Sequence, residues 1–117
     1  MAKKKEIAES KARPIINEIL EKIKTERDKK KITKKLWIDE FLYGRNNQAA
    51  VGLPGQYDDE EGREIVIEPN NEGTNISLVR YVNGDLYGGV DVKTVDEAFN
   101  QIKYFAKHGK LEDEDAY

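Results

Sequence analysis

Residues 75–109, NISLVRYVNGDLYGGVDVKTVDEAFNQIKYFAKHG, read as two β-strands joined by a tight turn and followed at once by an amphipathic helix. Thr94 and Glu97 make a capping box, in which each side chain meets an orphan amide of the first turn. Asp96 and Glu97 sit at the positive end of the helix dipole. Val95, Ala98, Phe99, Ile102, Phe105 and Ala106 recur at helical spacing and form one apolar stripe. Lys103, Lys107 and His108 crowd the last turn, and Gly109 suits the left-handed position that ends it. Phe99 and Ile102 are expected to bury against Ile65, Leu78 and Val90.

The turn before this helix poses a parity problem. Asn83-Gly84 suits a two-residue type I′ turn. That register pairs Val82 with Asp85 and Ile76 with Asp91, which opposes the apolar sets of the two strands. A three-residue loop, Val82-Asn83-Gly84, sets Ile76, Leu78 and Arg80 on one face with Val90, Gly88 and Leu86. One residue of slip moves a whole strand to its other face, so the bulged loop is the expected form. Gly88-Gly89 leaves room for a bulge or for a helix at close approach.

A third strand, 63–68, places Ile65 and Ile67 on one face before Pro69. With strands at 75–82 and 86–93, the fold class is α+β: an antiparallel β-sheet of three or four strands, a C-terminal helix packed on one face, and an N-terminal helical segment. Residues 1–13 read as a lead-in, with Pro14 at the first helical position. Ile15, Ile16, Ile19, Leu20 and Ile23 form the apolar face of a helix reaching about Lys31. That stripe is too short for a long coiled coil, and it packs on the sheet or on a second copy as a dimer contact. Residues 33–43 are ambiguous. Thr33 and Gly44 as caps favour a helix with Leu36, Trp37, Phe41 and Leu42 inward, Trp37 serving as a core anchor; a strand over 35–43 is the alternative.

The chain therefore divides into a basic helical segment (1–44), a Gly-rich acidic loop (45–62), a β-meander plus helix core (63–109) and an acidic tail (110–117). Ala49-Ala50-Val51 can add a short strand within the loop. The tail's composition predicts disorder. The 117 residues suit one domain with one modest core. Cysteine is absent, which excludes a disulfide framework and a thiolate metal site. No leader-like or membrane-length apolar run is present, so a cytoplasmic protein is the expectation.

The net charge of −3 conceals an asymmetry. Residues 1–37 hold 13 Lys/Arg against 6 Asp/Glu, a net of +7, whereas residues 38–117 hold 7 against 17, a net of −10. Such a division points to nucleic acid at the basic end or to a basic partner at the acidic end, unless the charges only solvate outer faces. The candidate partner-binding residues are Asp58, Asp59, Glu60, Glu61, Asp96 and Glu97. The nucleic-acid alternative rests on Lys29, Lys30, Lys31, Lys34 and Lys35.

Catalysis has little raw material: two serines, Ser10 and Ser77, and one histidine, His108, with no third group to orient them. Asp91-Val92-Lys93 has the D-x-K spacing of some metal-dependent nucleases, with Asp85 or Glu68 as the second acid, but three residues recur by chance. Asp58–Glu61 lacks the spacing of a calcium loop, and Gly52–Gly55 lacks the Lys-Ser/Thr ending of a phosphate loop. No cofactor and no enzyme activity are expected.

The order helix, three strands, helix resembles that of a double-stranded-RNA-binding domain. Asp96 and Glu97 stand where such a domain carries its lysine cluster, and they would repel phosphate. In style, with no shared motif, the chain resembles the small acidic cysteine-free inhibitors of phages and mobile elements. The expected function is a small non-catalytic protein-binding modulator whose acidic surface engages a basic nucleic-acid-handling protein. Nucleic-acid binding through the lysine-rich N-terminal helix is the alternative, and metal-dependent phosphodiester hydrolysis is the third reading.

Overall fold

The structure, a computed structural model, describes residues 2–54, 62–70, 75–112 and 114–116, with residues 2–11, 115 and 116 described by backbone alone. Its elements are α1 (Ala2–Asp28), β1 (Trp37–Asp39), a 3₁₀ turn (Leu42–Gly44), β2 (Ala49–Leu53), β3 (Arg63–Pro69), β4 (Ile76–Val82), β5 (Asp85–Val92), α2 (Val95–His108) and β6 (Asp115–Ala116). The strands form one antiparallel meander in chain order, five strands and a two-residue sixth. Both helices cover the same face, giving the expected α+β architecture with a longer sheet. Among the described residues, no helix is long and apolar enough to cross a membrane.

The core lies between that face and the helices. Ile16, Ile19 and Ile23 of α1, Val51 of β2, Ile65 and Ile67 of β3, Leu78 of β4, and Ile102 and Phe105 of α2 are all fully buried there. The apolar stripe of α1 is thus covered within its own chain, with Ile15 on its exposed flank. Phe99 departs from expectation. It is only half-buried at the rim of the core, and the lysine ammoniums of Lys22 and Lys103 stand 5.8 and 5.9 Å from its ring centre. Phe105, two turns further along the inward stripe, is the buried aromatic instead.

The caps of α2 form in part as read: Thr94 Oγ1 accepts from the Glu97 amide and Gly109 is left-handed at φ 77°, but Glu97 Oε2 accepts from the Lys93 amide, one residue before the N-cap, and not from an amide of the first turn. The hairpin corrects the expected register. Asn83 and Gly84, at φ 52° and 83°, form the two-residue turn, and Val82 does pair with Asp85. The bulge lies instead at Tyr87, between the pairs Arg80–Gly88 and Tyr81–Leu86. It restores Ile76 opposite Val92 and Leu78 opposite Val90, so the apolar sets agree although the turn is the shorter one.

Four further expectations change. Pro14 lies inside α1. The missing N–H removes one helical bond, while buried Ala12 and Ile16 hold the turns on either side in the same stripe. Residues 33–43 form a strand and a turn where a helix was favoured: Leu36 and Ile38 face the helices and Trp37 and Asp39 face away, an alternation that pairing with β2 enforces. Leu36 and Leu42 are buried as expected, but Trp37 and Phe41 are 39% and 47% exposed, so Trp37 is no core anchor. The stretch 45–62 contains the whole of β2. The acidic tail docks: Leu111 is buried, the Glu112 amide donates to Gln101 Oε1, and Glu114 receives a two-pronged ion pair from Arg80 at 2.7 and 2.8 Å. Residues 115–116 then pair with Gly88–Gly89.

Helix α1 stops at a Schellman motif, in which the Lys31 amide donates to Glu26 O and the Lys30 amide to Arg27 O. The left-handed residue at its centre is Lys30, at φ 64°, where glycine is usual. A side chain in that conformation costs about 1–2 kcal/mol, and glycine's greater unfolded freedom returns about 0.5–1 kcal/mol of the difference. Lys30→Gly is expected to raise the urea midpoint by an amount equivalent to about 0.5–1 kcal/mol; a lower midpoint would show that the lysine stem contributes packing there.

Candidate functional site

The helices leave the other face of the sheet open. Strand parity assigns to it Trp37 and Asp39 of β1, Ala50 and Gly52 of β2, Glu64, Val66 and Glu68 of β3, Ser77, Val79 and Tyr81 of β4, and Leu86 and Asp91 of β5. Charge is sorted by this parity. The two arginines in the strands, Arg63 and Arg80, alternate to the helix face, while Asp39, Glu64, Glu68 and Asp91 alternate to the open one. Among the strand residues whose side chains are described, the open face therefore carries four carboxylates and no basic side chain.

Between the carboxylates the face is apolar and aromatic. Leu42, Ala50 and Val66 form a small second cluster with Tyr81 packed against it. Trp37 lays its indole over Gly52, where no side chain would fit. Trp37, Tyr43 and Leu86 present 39%, 82% and 44% of their surface to solvent. A groove of about 210 Å³ runs between the 3₁₀ turn and strands β3 and β4, bordered by Leu42, Tyr43, Val66, Tyr81, Glu64 and Glu68.

The loop that walls this groove is fastened from below by Arg13. Its Nη1 donates to Glu40 O at 2.9 Å and Asn46 O at 3.1 Å, its Nε donates to Asn17 Oδ1, and its guanidinium stacks 4.4 Å from the centre of the Phe41 ring. Burial lowers the basicity of Arg13, and the Glu40 carboxylate opposes that effect. The hydrogen bond from Lys24 holds the Glu40 carboxyl below the usual carboxylate range, helped by the charge of Lys24, opposed by desolvation and helped least by the charge of Arg13. Leu42 N donates to Gln48 O, and Gln48 Nε2 donates to Glu68 Oε2 at 2.5 Å, which positions that carboxylate at one end of the groove. Tyr43 takes the left-handed φ of 54°, uncommon for an aromatic residue, and stands out from the surface.

The residues singled out from sequence are dispersed. Asp58, Asp59, Glu60 and Glu61 lie outside the described residues. Asp96 is exposed at the start of α2, 3.0 Å from Lys22 Nζ, and Glu97 caps that helix, both remote from the open face. Lys29, Lys30, Lys31, Lys34 and Lys35 are all exposed in the loop joining α1 to β1, so these five lysines sit on a loop and not along the N-terminal helix. Asp91 and Glu68 share the open face, separated by Ser77 of β4, whereas Asp85 alternates to the opposite face. No group of three or more His, Cys, Asp or Glu side chains converges as a metal site among the described residues.

Sequence reading passed over Asp39, Glu64, Tyr43 and Tyr81. The signal for Glu64 was available in Glu64-Ile65-Val66-Ile67-Glu68, where a period of two sets both acids on one face with Val66. A comparison with protein families, with curated proteins and with solved structures finds nothing that matches this chain.

Proposed function

We propose that the chain is a small non-catalytic binding protein that engages a basic protein partner through the open face of its sheet, as a modulator of a nucleic-acid-handling protein would. The observation that supports this reading is the sorting of charge by strand parity, four carboxylates around an exposed aromatic strip. Interfaces favour aromatic anchors at the centre and complementary charge at the rim, where it directs encounter. Small acidic inhibitors of phage type act on such partners, and a cytoplasmic setting would suit it. The lysine loop supports a second reading, nucleic-acid binding, because its five lysines are exposed with no acid between Lys29 and Lys35.

One experiment separates the two. The parent and the variant Asp39→Asn/Glu64→Gln/Glu68→Gln/Asp91→Asn are used as bait in a plausible host extract, with and without nuclease. The reading expects a basic protein retained by the parent after digestion, bound at least roughly tenfold more weakly by the variant, and released faster as salt rises. Recovery that is lost on digestion and unchanged in the variant would transfer the function to the lysine loop.

A further inference from the structure

Resting on that docking surface, we propose that the groove between the 3₁₀ turn and strands β3 and β4 is a receptor for one arginine side chain projected by the partner. Its volume of about 210 Å³ falls below the roughly 300–1,000 Å³ of sites that enclose cofactors and small molecules. A single long side chain is the occupant of matching size. The floor is apolar: Val66 and Leu42 are 7% and 8% exposed. Tyr43 and Tyr81 supply aromatic surfaces, and Glu64 and Glu68 close the ends, about 13 Å apart between Cα atoms at the ordinary strand rise. Among the described residues, no lysine or arginine borders the groove.

An arginine has the chemistry this lining asks for. Its methylene stem covers apolar surface while its head stays polar. Its guanidinium is weakly hydrated, stacks on aromatic faces and pairs with carboxylates through a planar fork, none of which an ammonium does as well. The chain already holds one of its own arginines in this manner. Arg80 lies 5.2 Å from the centre of the Tyr87 ring and donates to both carboxylate oxygens of Glu114. The groove repeats that combination of tyrosine and carboxylate. The bond from Gln48 holds Glu68 in place before a ligand arrives, which limits the ordering cost of binding.

The test uses the full chain labelled with nitrogen-15 and three capped pentapeptides, Gly-Ala-X-Ala-Gly, with X arginine, lysine or citrulline. Citrulline keeps the shape of arginine and removes its charge. The arginine peptide is expected to shift the amides of Leu42, Val66 and Tyr81 and to bind at least roughly tenfold more tightly than the citrulline peptide, with lysine between them. Glu64→Gln/Glu68→Gln and, separately, Tyr43→Ser are expected to abolish the shifts while leaving the melting temperature near that of the parent. Equal shifts with citrulline, shifts centred elsewhere, or no shifts at all would overturn the arginine receptor. If the arginine peptide fails but the fourfold carboxylate variant still releases the basic partner, the docking surface stands and only the receptor falls. If partner binding survives the fourfold change, the docking surface falls with it.

Discussion

Replacing Phe105 with alanine is expected to cost about 3–5 kcal/mol, the usual range for emptying a fully enclosed aromatic site. The ring is wholly buried in the cluster that joins α1, α2 and the sheet, so no neighbour can relax into the space without leaving its own contacts. A domain of this size has on the order of 5–15 kcal/mol of stability in total. The melting temperature is therefore expected to fall by roughly 10–20 °C, at about 4 °C per kcal/mol. The matched comparison is Phe99→Ala. That ring is half-buried between Lys22 and Lys103, and its loss is expected to cost only about 1 kcal/mol. Equal losses at the two positions, read from urea unfolding, would mean that α2 is rotated about its axis relative to the arrangement described above.

Why sequence reading favoured Phe99 is itself instructive. The inward stripe of α2 is Ala98, Gln101, Ile102 and Phe105, spaced as i, i+3, i+4 and i+7. A glutamine at the second position breaks the apolar pattern and makes Phe99, which is 100° off the stripe, look like part of it. Gln101 is buried because its side-chain oxygen accepts from the Glu112 amide and so fastens the tail, a long-range use that no local pattern announces. The same limit explains the tail. Its acidity argued for disorder, but Leu111 and the pairing of Glu114 with Arg80 depend on a surface built from distant strands.

Local chemistry was legible where the determinants are local. The capping box and Gly109 set the ends of α2, and alternation located β3 and β4. The hairpin shows the boundary between the two cases. Asn83-Gly84 specified its own turn, and apolar parity specified the faces, yet the two could be reconciled only by an extra residue at Tyr87. Runs of charge along the chain do not reveal the open face. Its carboxylates come from separate strands and become one surface only when the meander forms.

Gly52 is the position where the fold and the proposed surface depend on the same atom. It lies in β2 opposite both Trp37 of β1 and Glu64 of β3, and the Trp37 ring occupies the space a side chain would need. A methyl group there would also stand 2.7 Å from the Arg63 carbonyl oxygen. The indole can swing away because Trp37 is partly exposed, but the carbonyl belongs to the backbone of β3 and moves only with the β2–β3 pairing. Gly52→Ala is therefore expected to cost about 1–3 kcal/mol through overpacking and to release the indole from the sheet. Trp37 is the single tryptophan of the chain, so its emission is expected to move to longer wavelength in the folded variant. Pairing Gly52→Ala with Trp37→Ala separates the two clashes. The double variant is expected to be more stable than the sum of the single changes allows, because one clash is gone, yet less stable than Trp37→Ala alone, because the carbonyl remains. Additive losses with unchanged emission would show that the indole does not rest on Gly52, and the aromatic strip of the open face would lose its β1 end.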